Sequence, residues 1–193
     1  VDEPRQLNSG SAIWTRQKAD ITDEDYTAFY RQIGAGYDEP FMTLHNRTEG
    51  VLNYTSLLFI PTSRPFDLFN PDRKSRMQLY INRVFITEEC EDIVPAWLRF
   101  VRGVVDTPDL DLNVSREMLQ HNPSVVKIGK AVVKRILTEL QKKKDKDPKA
   151  YAEFWAEFGI VLKEGLYEDQ DNRDKLLNLS LFASAKTGEL ISL

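Results

Sequence analysis

Apolar residues follow two rhythms along this chain. From Thr22 the pattern is helical. Thr22 can cap, Asp25 completes a capping box, and Tyr26, Phe29, Tyr30 and Ile33 fall at i, i+3, i+4 and i+7. Gly34 and Gly36 end that helix. The pattern then turns extended. Phe41–Thr48 and Val51–Ile60 flank Glu49-Gly50 as a hairpin, Pro61 ends the second strand, and Met77–Ile86 forms another β run. Asp92–Phe100 predicts a short helix with Pro95 in its first turn, and Phe100–Val105 a strand broken by Gly103. Leu110–Val114 reads as extended, and Ser115 caps a helix beginning at Arg116. Pro123 restarts it, with one stripe of Val125, Ile128, Val132, Ile136 and Leu140 down to about Gln141. Tyr151, Phe154, Trp155 and Phe158 predict a further helix, and Leu176, Leu179 and Phe182 one more. Strands in the first half closed by helices give an α/β (α+β) class with a helical C-terminal piece.

Composition narrows the function classes. The 193 residues carry 26 Lys+Arg against 30 Asp+Glu, a net charge of −4, and are 41% hydrophobic. That is globular composition, and the length suffices for a core without disulfide or metal staples. Cys90 stands alone, and with only His45 and His121 beside it no Cys/His zinc cage is available. No run approaches the ~20 apolar residues of a membrane helix. The opening VDEPRQLNSG has no apolar signal core, and residues 1–12 read as a linker. The chain starts without Met and is expected to be a piece of a longer protein. A reducing, cytoplasmic compartment is the default expectation. Eight basic residues between Lys127 and Lys146 are better explained by a solvated helix end than by a nucleic-acid stripe, since the chain is acidic overall.

Familiar enzyme signatures are absent. Gly34-Ala35-Gly36 lacks a third glycine, Ile128-Gly129-Lys130-Ala131 lacks the rest of a phosphate loop, and no G-x-S-x-G occurs. The acidic pairs Glu88-Glu89 and Glu91-Asp92 read as surface. Two segments carry candidate chemistry. In Asp111–Gln120 an extended stretch enters a helix with Arg116 in its first turn and Gln120 one turn on. Backbone N–H groups and a guanidinium fork together suit phosphate oxygens, although an arginine there is more often a solvated or ion-paired surface group. In Pro61–Pro71, three prolines frame Phe66, Leu68 and Phe69. These side chains either form an exposed partner patch or fold back on the core. Trp14 faces the same choice.

These residues carry a resemblance. Ile13-Trp14-Thr15-Arg16, LLFIPTSRPFDLF (57–69), LYINRVFIT (79–87), FVRGVVD (100–106) and LNVSREMLQ (112–120) occur in one order at familiar intervals. Together they resemble the middle domain of the heat-shock protein 90 chaperone family. HNRTEGVLNYTSLLF (45–59) and FGIVLKEGLYED (158–169) resemble its bacterial form most. The resemblance implies a three-layer α/β/α sandwich over 13–145, then a helical connector over 146–193 with a smaller α/β/α unit truncated.

It also implies a function. The parent is an ATP-dependent, stress-responsive chaperone that binds unfolded proteins. ATP and Mg²⁺ sit on an N-terminal domain, a C-terminal domain makes a homodimer, and this fragment, expected to be a monomer, holds neither cofactor. Arg116 matches the catalytic-loop arginine that stabilises the ATP γ-phosphate, Gln120 its accompanying glutamine, and Asn113 is a candidate for positioning it. Such an arginine is worth roughly 10³–10⁵ in rate in other NTPases. Trp14 matches a tryptophan implicated in client contact, and Phe66, Leu68 and Phe69 an exposed amphipathic loop. No nucleic acid and no membrane is expected among the partners. The alternative is a pure protein-interaction module in which Arg116 makes only a structural ion pair. A transducer domain of the gyrase or mismatch-repair type is a third reading, disfavoured because those ATPases place a lysine on the phosphate.

Overall fold

The computed structural model describes residues 12–72 and 74–192. Residues 1–11 of the expected linker lie outside the described residues. The first helix, α1 (Asp23–Gln32), starts as its sequence dictates. The Thr22 hydroxyl accepts from Asp25 N–H at 3.2 Å, and the Asp25 carboxylate accepts from Thr22 N–H at 3.1 Å. Gly34, at φ +68°, turns the chain out of the helix.

Five strands form one sheet in the order β1-β2-β5-β3-β4. β1 (Pro40–Thr48) and β2 (Tyr54–Pro61) pair antiparallel, with Thr48 opposite Tyr54. Residues 49–53 form the connection, longer than the expected two-residue turn, because Asn53 is held away from β1. Its N–H donates to the Asp109 carboxylate at 2.5 Å, and its carbonyl accepts from the Thr107 hydroxyl. The expected single run over 77–86 is two strands, β3 (Arg76–Ile81) and β4 (Val84–Thr87). Asn82 and Arg83, both at positive φ, make the tight turn between them. β5 (Arg102–Thr107) lies in the middle, antiparallel to β2 and parallel to β3. Gly103 does not break it. A Cβ there would lie 2.1 Å from the Leu57 carbonyl oxygen, so glycine lets β5 close on β2.

Alternation along the strands builds two cores. On one face Leu58, Ile60, Leu79 and Val105 pack under helices α3 (Pro123–Lys146), α4 (Pro148–Glu168) and α5 (Arg173–Leu179). On the other, Leu57, Phe59 and Val104 pack with Tyr30 of α1 and with Ile13 and Trp14. Helices on both faces of a mixed sheet, followed by a C-terminal helical bundle, give an α/β sandwich with a helical connector. Asn122 caps α3 and Asp147 caps α4, each followed by proline at the first helical position.

Three local expectations change. Asp92–Phe100 is only a 3₁₀ turn at Ala96–Leu98, because Pro95 stands before it as the N-cap. Leu110–Val114 is a turn rather than an extended segment, with Val114 N–H bonded to the Asp111 carbonyl. Phe182 is not helical. α5 stops at Leu179, and Phe182-Ala183 pair with Leu190-Ile191 as a small ribbon, β6 and β7.

Candidate functional site

The loop after β5 begins and ends on buried leucines. Leu110 and Leu119 both enter the large core. Between them Asn113 is exposed, and Gln120 is exposed just beyond. Arg116 opens the short helix α2 (Arg116–Leu119), whose N-cap Ser115 accepts from Met118 N–H at 3.3 Å. The Arg116 side chain lies outside what the structure describes. One turn of helix has little dipole, so the anion-attracting helix start expected from sequence reduces to the side chains of this loop.

The exit of the loop is locked. His121 adopts φ +61°, and its N–H donates to the Asp92 carboxylate at 2.7 Å. The Asp92 carbonyl lies where a Cβ on Gly129 would fall, at 2.1 Å, so α3 presses directly on the same segment. Asp92, expected at the surface beside Glu91, instead anchors Leu119–Asn122 to the segment before the 3₁₀ turn. An open cleft of about 420 Å³ runs beside Gln120 and His121, and Glu89, Glu91 and Asp92 line it. Three carboxylates against Lys74 give the cleft a net negative lining, which disfavours a polyphosphate. Among the described residues no group of three or more His, Cys, Asp or Glu could hold a metal ion. Burial pushes the Cys90 thiol up to about 11, which leaves it protonated and unreactive.

The apolar candidates separate. Phe66 is fully exposed and Phe69 half exposed, whereas Leu68 is 3% exposed and belongs to the core. The Pro61–Pro71 loop therefore presents two rings, with Leu68 as its inward anchor. Trp14 is also buried, at 6% exposure. Its indole N–H donates to Asp106 at 2.8 Å, and its ring meets Tyr80 and Phe29. The choice left open for both residues resolves toward the core. His45 lies beside Trp14. Burial lowers its pKa, and the neutral ring donates Nε2–H to the Trp14 carbonyl and accepts from the Tyr26 hydroxyl at Nδ1.

Arg99 escaped the sequence reading. Its guanidinium is buried, donating to the Leu68 carbonyl at 2.7 Å, to the Ala96 carbonyl at 2.8 Å, and through both Nη atoms to Glu164 at 2.7 and 3.1 Å. It joins the aromatic loop to α4. Its donors are committed to these acceptors, so it is not available to a phosphate. Asp92, Asp106 and Arg99 left one usable signal among them, a carboxylate closing the apolar run of β5. Of the basic residues of α3, Arg135 and Lys142 pair with Glu139 and Lys143 with Asp147, while Lys127, Lys130 and Lys134 are exposed.

Comparison with known proteins decides the family. The Hsp90 protein family model matches residues 1–193. The chain belongs to the Hsp90 family. It is 56% identical over 189 residues to the chaperone protein HtpG of Orientia tsutsugamushi, covering 98% of this chain and 30% of that protein. HtpG of Rhodopseudomonas palustris is 54% identical over 184 residues, covering 95% and 30%. The middle domain of a heat shock protein of Plasmodium falciparum superposes with a TM-score of 0.79 at 28% identity, covering 94% of this chain and 71% of that one. The chain is thus an Hsp90 middle domain of the bacterial HtpG type, and it spans about a third of the length of the HtpG relatives it matches.

Proposed function

We propose that this middle domain hands an arginine to ATP held on another domain of a chaperone, and offers part of the surface that grips client proteins. Arg116 stabilises the charge that builds on the γ-phosphate during hydrolysis. Gln120 accompanies it, and Asn113 helps position the loop. The observation that carries the reading is a loop whose Asn113 is exposed between buried Leu110 and Leu119, whose Gln120 is exposed just beyond, and whose exit is locked by Asp92. Such a loop is held by the scaffold yet open to a docking partner.

ATP and Mg²⁺ belong to the parent's N-terminal domain in this reading, since the cleft beside the loop is lined with carboxylates. When bound, the nucleotide supplies the phosphoryl group and its metal. This chain supplies a positive charge and hydrogen-bond donors, and alone it does not turn ATP over. The sandwich over 13–145 carries the loop, and the connector over 146–193 leads toward a C-terminal domain that dimerises the parent in the cytoplasm.

Hydrogen exchange in the full-length protein tests the docking. A non-hydrolysable ATP analogue is expected to slow exchange across 111–120 relative to the nucleotide-free state. Unchanged exchange there, with the analogue bound, leaves the pure interaction module as the better reading. The client surface is tested separately. Replacing Phe66 and Phe69 together by Ser should weaken binding of an unfolded client roughly tenfold, because each ring buries on contact. Leu68→Ser serves as the contrast, lowering stability instead.

A further inference from the structure

At one end of the sheet lies a cleft of about 740 Å³ whose charged lining runs against the character of the chain. The whole sequence is net negative at −4. The cleft brings together Arg16, Lys18, Arg47 and Arg83 with two carboxylates, Glu49 and Asp106. Both carboxylates are engaged. Glu49 pairs with Arg47 at 3.3 Å, and Asp106 accepts from Trp14 Nε1 at 2.8 Å and from Arg83 N–H at 3.2 Å. Among the described residues no carboxylate pairs with the side chains of Arg16, Lys18 or Arg83. Arg16 also has a buried Nε without a hydrogen-bond partner. A desolvated donor without an acceptor is costly, and no acceptor in the fold commits this nitrogen.

The wall carrying these cations is rigid. Two residues before Arg16, Trp14 is fixed by Asp106, by His45 through its carbonyl, and by the rings of Phe29 and Tyr80. Arg83 sits in the two-residue turn between β3 and β4. The charges come from separate segments, around residues 16–18, 47 and 83, that line one cleft. No glycine lines the cleft, so no backbone nest cradles a compact phosphate. Thr48, Thr55 and Asn82 add neutral hydrogen-bonding groups suited to a peptide backbone.

We infer that this cleft docks an acidic stretch of a partner polypeptide, with Arg16, Lys18 and Arg83 receiving its carboxylates. The inference stands apart from the Arg116 reading and does not depend on it.

The test uses the full chain and a fluorescently labelled oligoglutamate peptide, followed by anisotropy at low salt. Combined Arg16→Gln, Lys18→Gln and Arg83→Gln are expected to weaken binding roughly tenfold or more. Lys127→Gln, Lys130→Gln and Lys134→Gln remove equal charge from the exposed side of α3 and should change it by less than about twofold. The matching oligoglutamine peptide should not bind. Equal losses in the two triple variants overturn the site, because only a general field of cations is then at work. Binding of oligoglutamine as tight as oligoglutamate also overturns it. So does displacement of the peptide by inorganic phosphate where chloride of equal ionic strength is inert, since the cleft would then hold a compact anion. Thermal unfolding checks that the variants keep the fold. If the Arg16 change disturbs it, Lys18→Gln with Arg83→Gln, both on exposed residues, carries the same comparison.

Discussion

Arg116→Ala in the full-length chaperone is expected to slow ATP hydrolysis roughly 10²–10³-fold, the loss typical of removing one preorganised charge-stabilising donor. ATP affinity should shift by less than about twofold. In the proposed arrangement the two effects separate, because the arginine is carried on a different domain from the nucleotide and meets the phosphate only when the domains dock. Its binding energy is then realised in the transition state and not in the ground state. Arg116→Lys should recover part of the rate, since a lysine restores the charge without the planar fork. Gln120→Ala should cost less than Arg116→Ala. Single-turnover hydrolysis and nucleotide titration of the same samples decide the matter. Unaltered turnover in the alanine variant would eliminate Arg116 from the chemistry. Equal losses in affinity and rate would recast it as a ground-state binding residue.

The second large effect is on stability. Glu164→Ala leaves the Arg99 guanidinium, itself 5% exposed, without its bidentate acceptor. Stranding a buried charge typically costs about 3–5 kcal/mol. Glu164 retains 26% side-chain exposure, so water reaches its end of the pair and the lower figure is expected. For a chain of this size that lowers the unfolding midpoint by roughly 6–12 °C. Replacing both partners, Arg99→Met with Glu164→Met, should recover most of the loss, because no charge is left stranded. Denaturant melts of the single and double variants give the coupling directly. A double variant no more stable than Glu164→Ala would show that the pair contributes packing rather than compensated charge.

What could be read from the chain divides by range. Local signals were legible. The Thr22/Asp25 capping box, the apolar faces of α1, α3 and α4, and the proline start of α3 all rest on contacts within a few residues. The β3–β4 turn was missed because Asn82-Arg83 lacks the glycine that usually marks such turns, although asparagine tolerates positive φ. The β6–β7 ribbon has strands of two residues, too short for any period to emerge. Long-range partners were invisible. Arg99 and Glu164 are 65 positions apart, and Trp14 and Asp106 are 92 apart. The direction in which Trp14 and Leu68 point depends on those distant groups. Arg116 stands out in the sequence as a guanidinium at a helix start, but its role comes from the resemblance to a family motif, because one arginine in a first helical turn has no pattern of its own.

The position of β5 has a consequence for synthesis. It is the last strand of the large sheet to leave the ribosome, yet it separates the two hairpins that precede it. Until Thr107 has emerged, β1-β2 and β3-β4 have no common neighbour, and each presents an inner edge with open backbone groups. Two-stranded units of this kind are marginal on their own. The nascent chain therefore passes through an interval in which it displays aggregation-prone edges.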